Sequence, residues 1–364
     1  MADGRIDPPR GRAAPWAGLA AVLLAATGCA GPPGPPGDGI RLVLGDSYPV
    51  GHPISEHGAE YFMHRATELT GGRVTFDYLP SEQIGTASDL IDLAGSGAVD
   101  MASVAPAYVT SKLPLSGVAD LPGLVGDACE GALAAEPLME PGGVLYDEEL
   151  SERRIRPLVI GVIPSYEIMT GTEEVVVPED AAGMMLRSSG GTIDATVSAL
   201  GGSPVSMPAP EMYEAISRGT VDGTALAPMS AEPYRLDEAA GHSTLGAEVG
   251  SFINTYSIGD AAWERLDPGT RDALVEAGHD TTRHLCRALQ EENEASRKRL
   301  EEGGLEFHRL TGEEKAAWQE VLAPARQTWA EDMESIGRPG ERALSAMEAE
   351  LERVREEQAD DGQE

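Results

Sequence analysis

One arginine of this chain stands where it can bind an anion. Residues 183–191 have the sequence GMMLRSSGG, so Arg187 ends a short apolar run directly before a glycine-rich turn into a predicted helix. We expect a guanidinium at such a strand end to face a cleft, where its planar fork can bind a carboxylate through two parallel hydrogen bonds. The alternative is a surface arginine at the end of a strand. If Arg187 binds an anion, the protein captures a small organic acid and need not transform it.

A second candidate is a serine. The segment Leu44-Gly45-Asp46-Ser47 follows a predicted strand and resembles the nucleophile block of GDS-type hydrolases. Such a serine needs a histidine base that a carboxylate orients, and that family supplies the pair as a late Asp-x-x-His motif. No such motif occurs in the sequence. A serine hydrolase that uses Ser47 is therefore the alternative function, and the sequence predicts neither a cofactor nor a metal site.

The charge of the chain excludes some partners. Its 364 residues carry 27 Lys and Arg against 61 Asp and Glu, a formal net charge of −34. Nucleic acid requires a basic face, and so does adsorption to an anionic membrane. We therefore expect no nucleic-acid partner. Hydrophobic residues make up 41% of the chain, enough to build the cores of two domains.

The N-terminal segment predicts export rather than folded structure. Residues 1–28 contain three arginines followed by the apolar run AGLAAVLLAA, which is too short to span a bilayer. Small residues before Cys29 resemble a bacterial lipobox, although Ala26 stands where leucine is usual. We predict a lipoprotein signal peptide over 1–28, lipidation of Cys29 and a Pro/Gly tether over 29–39, with cleavage without lipidation as the alternative. The prediction places the protein outside the cytoplasm, anchored to the membrane by lipid.

Two further cysteines, Cys129 and Cys286, remain after Cys29. In an oxidising compartment they can form a disulfide, and otherwise they are two small buried hydrophobic residues. The sequence leaves this open.

Strands and helices alternate from Ile40 to Ile258, which predicts α/β layers with mainly parallel sheets. Beyond that point the chain is mostly helical. Asp267-Pro268 is a good start for a long helix that runs to Glu302. A last helix precedes residues 357–364, which are acidic and expected to be disordered.

Five short motifs together resemble a known family. They are Gly71-Gly72-Arg73-Val74 with Leu79-Pro80 and Gln83-Ile84-Gly85; Ser96-Gly97-Ala98-Val99-Asp100-Met101; Pro178-Glu179-Asp180 leading to Arg187; Met212-Tyr213-Glu214-Ala215 with Gly219-Thr220-Val221-Asp222-Gly223; and Ala262-Trp263 before Leu266-Asp267-Pro268. Their order and spacing, over residues 40 to about 330, are similar to those of the solute-binding proteins of TRAP transporters, of the dicarboxylate-binding (DctP-like) type.

The resemblance implies a periplasmic-binding-protein-like fold with two lobes, a ligand cleft between them and a long C-terminal helical region. It implies one lobe over 40–163 and 250–290, a second over 164–249 and 291–335, and a helix with an acidic tail over 336–364. It also implies delivery of the solute to a small and a large membrane permease subunit. The selectivity arginine of the family falls on Arg187.

The sequence departs from the family at two places. Members that bind dicarboxylates or acidic sugars often carry a second arginine about twenty residues earlier, where Glu167 stands, and the asparagine that often follows Val-Asp-Gly is absent. One arginine under-compensates a buried dianion. We therefore expect a monocarboxylate with an apolar or aromatic body, or a zwitterion whose cation meets Glu167. The predicted walls of the site are Tyr48, Tyr108, Tyr166, Met207, Leu226 and Met229.

Overall fold

The computed structural model describes the backbone of residues 39–361 and the side chains of residues 39–359. The predicted signal peptide (1–28), Cys29 and all but the last residue of the predicted tether lie outside the described residues.

Eleven strands form two sheets in this part of the chain. In chain order they are β1 (Ile40–Gly45), β2 (Val74–Leu79), β3 (Met101–Val104), β4 (Ile155–Ile163), β5 (Glu167–Thr170), β6 (Met185–Ser188), β7 (Ser203–Ser206), β8 (Gly223–Leu226), β9 (His242–Leu245), β10 (Phe252–Gly259) and β11 (Glu306–Arg309). The first sheet has the order β2-β1-β3-β10-β4, and the second has the order β11-β9-β5-β8-β6-β7. We call the parts built on these sheets the first lobe and the second lobe.

Ten α-helices cover the sheets within the described residues. They are α1 (Tyr61–Leu69), α2 (Leu90–Ser96), α3 (Ala128–Met139), α4 (Thr192–Ala199), α5 (Met212–Ser217), α6 (Asp260–Glu264), α7 (Pro268–Gly303), α8 (Gly312–Leu322), α9 (Ala325–Ser335) and α10 (Gly340–Asp361). A wider π-type turn over Ser55–Glu60 leads into α1.

The α/β prediction is confirmed, and within the described residues parallel strand pairs outnumber antiparallel ones by five to four, so that both sheets are mixed. In the first sheet β1 pairs in parallel with β2 and β3, whereas β10 runs antiparallel to β3 and β4. In the second sheet β5 runs antiparallel to β8 and β9. The antiparallel strands β5 and β10 each follow a passage of the chain between the sheets, after β4 and after β9, and a third passage leads from β10 to β11. A chain that leaves one sheet and returns to it later does not need the crossover helix that enforces parallel pairing.

The long helix α7 begins where the sequence predicts, and its length connects the two lobes. The Asp267 carboxylate accepts a hydrogen bond from the backbone N–H of Thr270, which is the expected N-cap contact. Leu274 and Leu285 belong to the main hydrophobic cluster, whereas Leu300 belongs to the cluster of the second lobe. Since 36 residues of helix extend about 54 Å, α7 is long enough to serve both cores.

Cys129 and Cys286 form a disulfide, which resolves the alternative that the sequence left open. The bond joins the first turn of α3 to the middle of α7, with 4.7 Å between the two Cα atoms. The two helices against the first sheet are therefore covalently tied.

The C-terminal expectation needs correction. Residues 357–361 continue helix α10 and are not a disordered tail, while residues 362–364 lie outside the described residues. Leu344, Met347, Leu351 and Val354 are buried along one side of this helix, which packs against α3 and α9. That apolar stripe stabilises the helix, and its acidic last turn extends from it. Among the described residues, no helix is long and apolar enough to cross a bilayer.

Candidate functional site

Arg187 is a buried cation without an acidic partner. It lies in β6, a central strand of the second sheet, and only 1% of its surface is exposed. Nε and Nη2 donate to the carbonyl oxygen of Met207 at 2.9 and 2.7 Å, and Nη1 has a long contact of 3.5 Å with the carbonyl oxygen of Ala225. No carboxylate within residues 39–359 forms an ion pair with it. A buried charge is normally paired, and the described residues supply no anion to this guanidinium.

The turn after β6 brings the second lobe against the first. A Cβ atom built on Gly190 would lie 2.6 Å from the carbonyl oxygen of Ala107, and the φ angle of Gly190 is +101°. Only glycine permits both this close approach and this conformation. Ser189, two residues after Arg187, is buried, and its hydroxyl has no hydrogen-bond partner in the described structure.

Aromatic rings from both lobes surround the region. The rings of Tyr48 and His52 lie 4.6 Å apart, and those of His52 and Tyr234 lie 5.5 Å apart. Tyr48 and His52 belong to the first lobe and Tyr234 to the second. These rings therefore form a wall that both lobes share.

A second ring cluster is centred on Phe252, at the start of β10. Its ring centroid lies 5.2 Å from that of Tyr108 and 6.2 Å from that of Tyr166. The Tyr108 hydroxyl also accepts a hydrogen bond of 3.2 Å from the backbone N–H of Ala209 in the second lobe. Tyr108 thus connects the lobes directly.

Burial and charge determine the protonation of two of these tyrosines. Burial raises the pKa of Tyr166 well above its usual range, and the positive charge of Arg187 acts in the opposite direction. The same two causes act on the pKa of Tyr234. Both phenols therefore stay protonated and can donate hydrogen bonds.

His52 is neutral at physiological pH. Complete burial lowers its pKa to about 3. Nδ1 accepts a hydrogen bond of 3.2 Å from the backbone N–H of Ile54, so the proton lies on Nε2, which points to the Ser230 hydroxyl at 3.4 Å. This contact also joins the two lobes.

Glu167 is buried and engaged with its own chain. Its carboxylate accepts hydrogen bonds from the Thr244 hydroxyl at 2.6 Å and from the backbone N–H groups of Gly246 and Ala247 at 2.7 and 3.1 Å. Burial raises the pKa of this carboxyl, although the three donors act to lower it. Glu167 therefore holds the turn that follows β9.

The remaining predicted wall residues differ in their surroundings. Met207 supplies its carbonyl oxygen to Arg187. Leu226 is buried with Met169 in the second-lobe cluster, and Met229 is buried in the main cluster, with its backbone N–H bonded to Asn293. The packing of Leu226 and Met229 against other core residues accounts for their burial.

The Ser47 region lacks the geometry of a hydrolase. The Ser47 hydroxyl lies 3.4 Å from the hydroxyl of Ser103, and no histidine contacts it in the described part of the chain. The carboxylate of Asp46 accepts from the backbone of Tyr48 and from the hydroxyls of Tyr78 and Tyr256. The Asp-Ser pair therefore organises the end of β1 and forms no catalytic triad.

The opening between the lobes lies outside the buried arginine. It is a cleft of about 350 Å³ with Ser47 and Glu82 on one side and Tyr213 and Tyr234 on the other. A larger cavity of about 440 Å³, mostly apolar, lies beside α9. Arg187 lines neither space.

Sequence reasoning missed four residues of this region, which are His52, Ser189, Tyr234 and Phe252. Ser189 was recoverable, since it lies only two residues after Arg187. The others lie far from Arg187 in sequence, and only the packing of the lobes brings them into one region.

Two α/β lobes that close over an unpaired buried cation define the class of periplasmic solute-binding proteins. The comparisons agree with this assignment. Residues 44–332 match the model of the bacterial extracellular solute-binding protein family 7, DctP. The C4-dicarboxylate-binding periplasmic protein DctP of Rhodobacter capsulatus is 30% identical over 281 residues, which are 75% of this chain and 82% of that protein.

Solved structures show the same fold. A TRAP solute-binding protein from Rhodoferax ferrireducens, in complex with copurified benzoate, has a TM-score of 0.81 at 22% identity and covers 87% of this chain and 99% of its own. A TRAP periplasmic solute-binding protein from Bordetella bronchiseptica, with bound (R)- and (S)-mandelate, has a TM-score of 0.77 at 26% identity and covers 86% and 99%. The chain belongs to the DctP family of extracellular solute-binding proteins. It is accordingly a TRAP-type solute-binding protein of a transport system and not a serine hydrolase.

Proposed function

We propose that this protein captures a small organic monocarboxylate with an apolar or aromatic body between its lobes, and that Arg187 binds the carboxylate. The observation that carries the proposal is the burial of Arg187 without an acidic partner. The Nε–Nη2 edge of the guanidinium is taken by the Met207 carbonyl, which leaves the Nη1–Nη2 edge for the ligand. An anion there forms charge-assisted hydrogen bonds in a site closed to water.

The nature of the rest of the ligand follows from what surrounds the arginine. Tyr48, Tyr108, Tyr166 and Tyr234 bring aromatic surface to the site, and the described structure places no second Lys or Arg among its buried residues. A second carboxylate would therefore be buried without a cation. The mandelate bound to the Bordetella protein is an aromatic monocarboxylate, and it supports this choice over the C4-dicarboxylate named for the Rhodobacter relative.

The role predicted for Glu167 as partner of a ligand cation is the less favoured alternative. Its two oxygens already accept three hydrogen bonds from the chain. We therefore favour a plain monocarboxylate over a zwitterion.

Closure is proposed as the event that ligand binding stabilises. The lobe boundaries we propose are 40–163 with 250–290, and 164–249 with 291–335, and the membership of the strands in the two sheets supports them. Contacts such as Tyr108 to Ala209 and His52 to Ser230 form only when the lobes are shut. A ligand that touches both lobes then shifts the population towards the closed state.

Delivery and anchoring complete the proposal. The closed protein presents its solute to a small and a large TRAP membrane subunit, as the family implies. Lipidation of Cys29 after removal of residues 1–28 would hold it at the outer face of the cell membrane, with 29–39 as the tether. Membrane fractions from cells that produce wild type or Cys29→Ser test this: loss of the protein from the membrane in the variant supports the anchor, and unchanged distribution contradicts it.

The central test uses calorimetry on purified protein. A thermal-shift screen against carboxylic acids first identifies a ligand, because a molecule that binds only the folded state raises the melting temperature. Arg187→Met should then cost about 2–5 kcal/mol of binding, as loss of a buried charge partner does. Arg187→Lys should also bind weakly, because an ammonium lacks the planar fork. Arg218→Ala, which removes an exposed arginine, is the control, and unchanged affinity in Arg187→Met would refute the assignment.

A further inference from the structure

Asn254 is a buried amide that has no partner. It lies in β10 with 1% of its surface exposed, and neither Oδ1 nor Nδ2 makes a hydrogen bond in the described structure. Buried amide groups are almost always bonded, because an unmet donor or acceptor costs about 1–3 kcal/mol. An amide with both ends unmet therefore requires an explanation.

The position of Asn254 directs it to the ligand region. Residues 252, 254 and 256 share one face of β10, since side chains alternate along a strand. Phe252 packs against the rings of Tyr108 and Tyr166. The Tyr256 hydroxyl donates to the carboxylate of Asp46 at 2.9 Å, and the same carboxylate accepts a hydrogen bond from the backbone N–H of Tyr48. Asn254 lies between these two neighbours.

The strand that pairs with β10 offers the amide no partner. Gly161 of β4 stands opposite Asn254 and has no side chain, and the apolar side chain of Leu285 packs against Gly161. The neighbouring strand of the first sheet therefore supplies no hydrogen-bond partner for the Asn254 amide.

A second buried polar atom of the first lobe is also without a partner. The hydroxyl of Tyr48 is buried and makes no hydrogen bond within the described residues. Burial raises the pKa of Tyr48 well above its usual range, and the phenols of Tyr108, Tyr234 and Tyr166 add to this effect. Tyr48 is therefore a neutral hydroxyl close to the same tyrosines that surround Arg187.

The first-lobe wall carries no positive charge. The His52 ring lies 4.6 Å from that of Tyr48 and is neutral, because burial lowers its pKa to about 3. The unmet groups of the first lobe include the Asn254 amide, the Tyr48 phenol and Oδ2 of Asp120, a carboxyl whose pKa burial raises well above its usual range. They suit an uncharged group that both donates and accepts a hydrogen bond, and a hydroxyl does both.

We propose that the ligand carries a hydroxyl group at the end opposite its carboxylate, and that Asn254 and Tyr48 bind this hydroxyl. The inference rests on the proposed function, in which Arg187 of the second lobe binds the carboxylate. A ligand of this kind contacts both lobes through polar groups. The hydroxyl donates to Oδ1 of Asn254 and accepts from Nδ2 or from Tyr48, whereas a second carboxylate would place an oxygen against Oδ1.

Calorimetry with four simple probes tests the specificity. Wild type is titrated with benzoate, 3-hydroxybenzoate, 4-hydroxybenzoate and isophthalate. We expect one hydroxybenzoate to bind at least tenfold more tightly than benzoate, and isophthalate to bind most weakly. Equal affinity for benzoate and both hydroxybenzoates would overturn the inference.

Variants then connect the preference to the residues. Asn254→Leu should remove most of the tenfold preference for the hydroxylated probe and leave benzoate affinity within about twofold, and Tyr48→Phe should reduce the preference in part. Loss of affinity for all probes alike in both variants would overturn the role, because it would indicate general damage to the site.

Stability gives a readout that separates ligand binding from structure. Asn254→Leu should raise the melting temperature of the unliganded protein, since it removes two unmet polar atoms. The matched control is Asn293→Leu, whose amide oxygen accepts from the Met229 backbone and which should lower the melting temperature without changing the preference. A lower melting temperature in Asn254→Leu would show a structural role and overturn the proposal.

Failure of this inference and failure of the proposed function give different experimental results. If wild type binds benzoate through Arg187 but ignores the hydroxyl, only this inference is wrong. If none of the four probes binds and no carboxylate raises the melting temperature, the proposed function itself is wrong.

Discussion

Two atoms of Arg187, Nε and Nη2, donate to the same carbonyl oxygen of Met207. This contact fixes the plane of the guanidinium before any ligand arrives. The side chain loses its conformational freedom on folding rather than on binding, so less of it is lost when an anion binds. This fixed geometry supports the proposal that Arg187 binds the carboxylate of a ligand.

Gly190 lies where the two lobes approach each other closely. A Cβ atom there would lie 2.6 Å from the carbonyl oxygen of Ala107. We expect Gly190→Ala to hold the lobes apart and to weaken ligand binding at least tenfold, which calorimetry measures.

Gly183 provides the matched control for that variant. Its φ angle of +80° imposes the same backbone strain, but no atom lies within 4 Å of the position of its Cβ. Gly183→Ala should cost about 1 kcal/mol of stability and leave the affinity unchanged. Equal affinity in the two alanine variants would show that the contact with Ala107 does not limit closure.

Glu167→Gln separates a structural role from a ligand role. Glutamine replaces one acceptor oxygen by an NH₂ group that faces a donor, so we expect a loss of about 1–3 kcal/mol in the free energy of unfolding. Urea unfolding measures this loss, and calorimetry should show unchanged affinity for a plain carboxylate. A selective loss of affinity for a zwitterion would instead indicate that Glu167 contacts the cation of the ligand.

His52 should make the protein sensitive to mild acid. Its pKa falls from 6.5 to about 3 on folding, so the unfolded state binds a proton first as the pH drops. The stability that the neutral ring provides is complete above pH 6.5 and is lost as the pH falls towards 3.

We therefore expect wild type to lose about 2 kcal/mol between pH 7 and pH 5 relative to His52→Asn. Comparison with the variant is essential, because the buried carboxyls of Asp46, Asp120 and Glu167 have raised pKa values and act in the opposite direction. Urea unfolding of both proteins at the two pH values gives the difference. Parallel pH profiles would contradict the assignment.

The Cys129–Cys286 disulfide should contribute strongly to stability. It closes a loop of 157 residues, and such a constraint on the unfolded chain is worth about 2–5 kcal/mol. Replacing both cysteines by alanine should lower the free energy of unfolding by this amount and leave ligand affinity unchanged, since the bond joins α3 and α7 on the first lobe. Reduction of wild type with a thiol should reproduce the loss, and a stability that neither treatment changes would refute the prediction.

Local signals predicted much of the fold. The sequence pattern predicts a strand over residues 41–44, a helix over residues 192–200 and the start of a helix at Asp267-Pro268. Strand β1, helix α4 and the start of α7 lie within a residue or two of these positions, because alternation, apolar stripes and the Asp267 cap are short-range features. The direction of the strands was not predictable in this way. Strands β5 and β9 are four residues long and gave no clear pattern, and their antiparallel pairing follows from how the chain passes between the lobes.

The features of the candidate site also separate into those that the sequence shows and those that it does not. Arg187 as a candidate residue and the family of the chain were visible in the sequence, since a glycine turn and a row of short motifs are local in the chain. The pairing of Cys129 with Cys286, the internal use of Glu167 and the unmet amide of Asn254 were decided only in the folded protein. Each depends on which distant groups come within hydrogen-bond or bonding distance, and a linear pattern of residue types does not contain those distances.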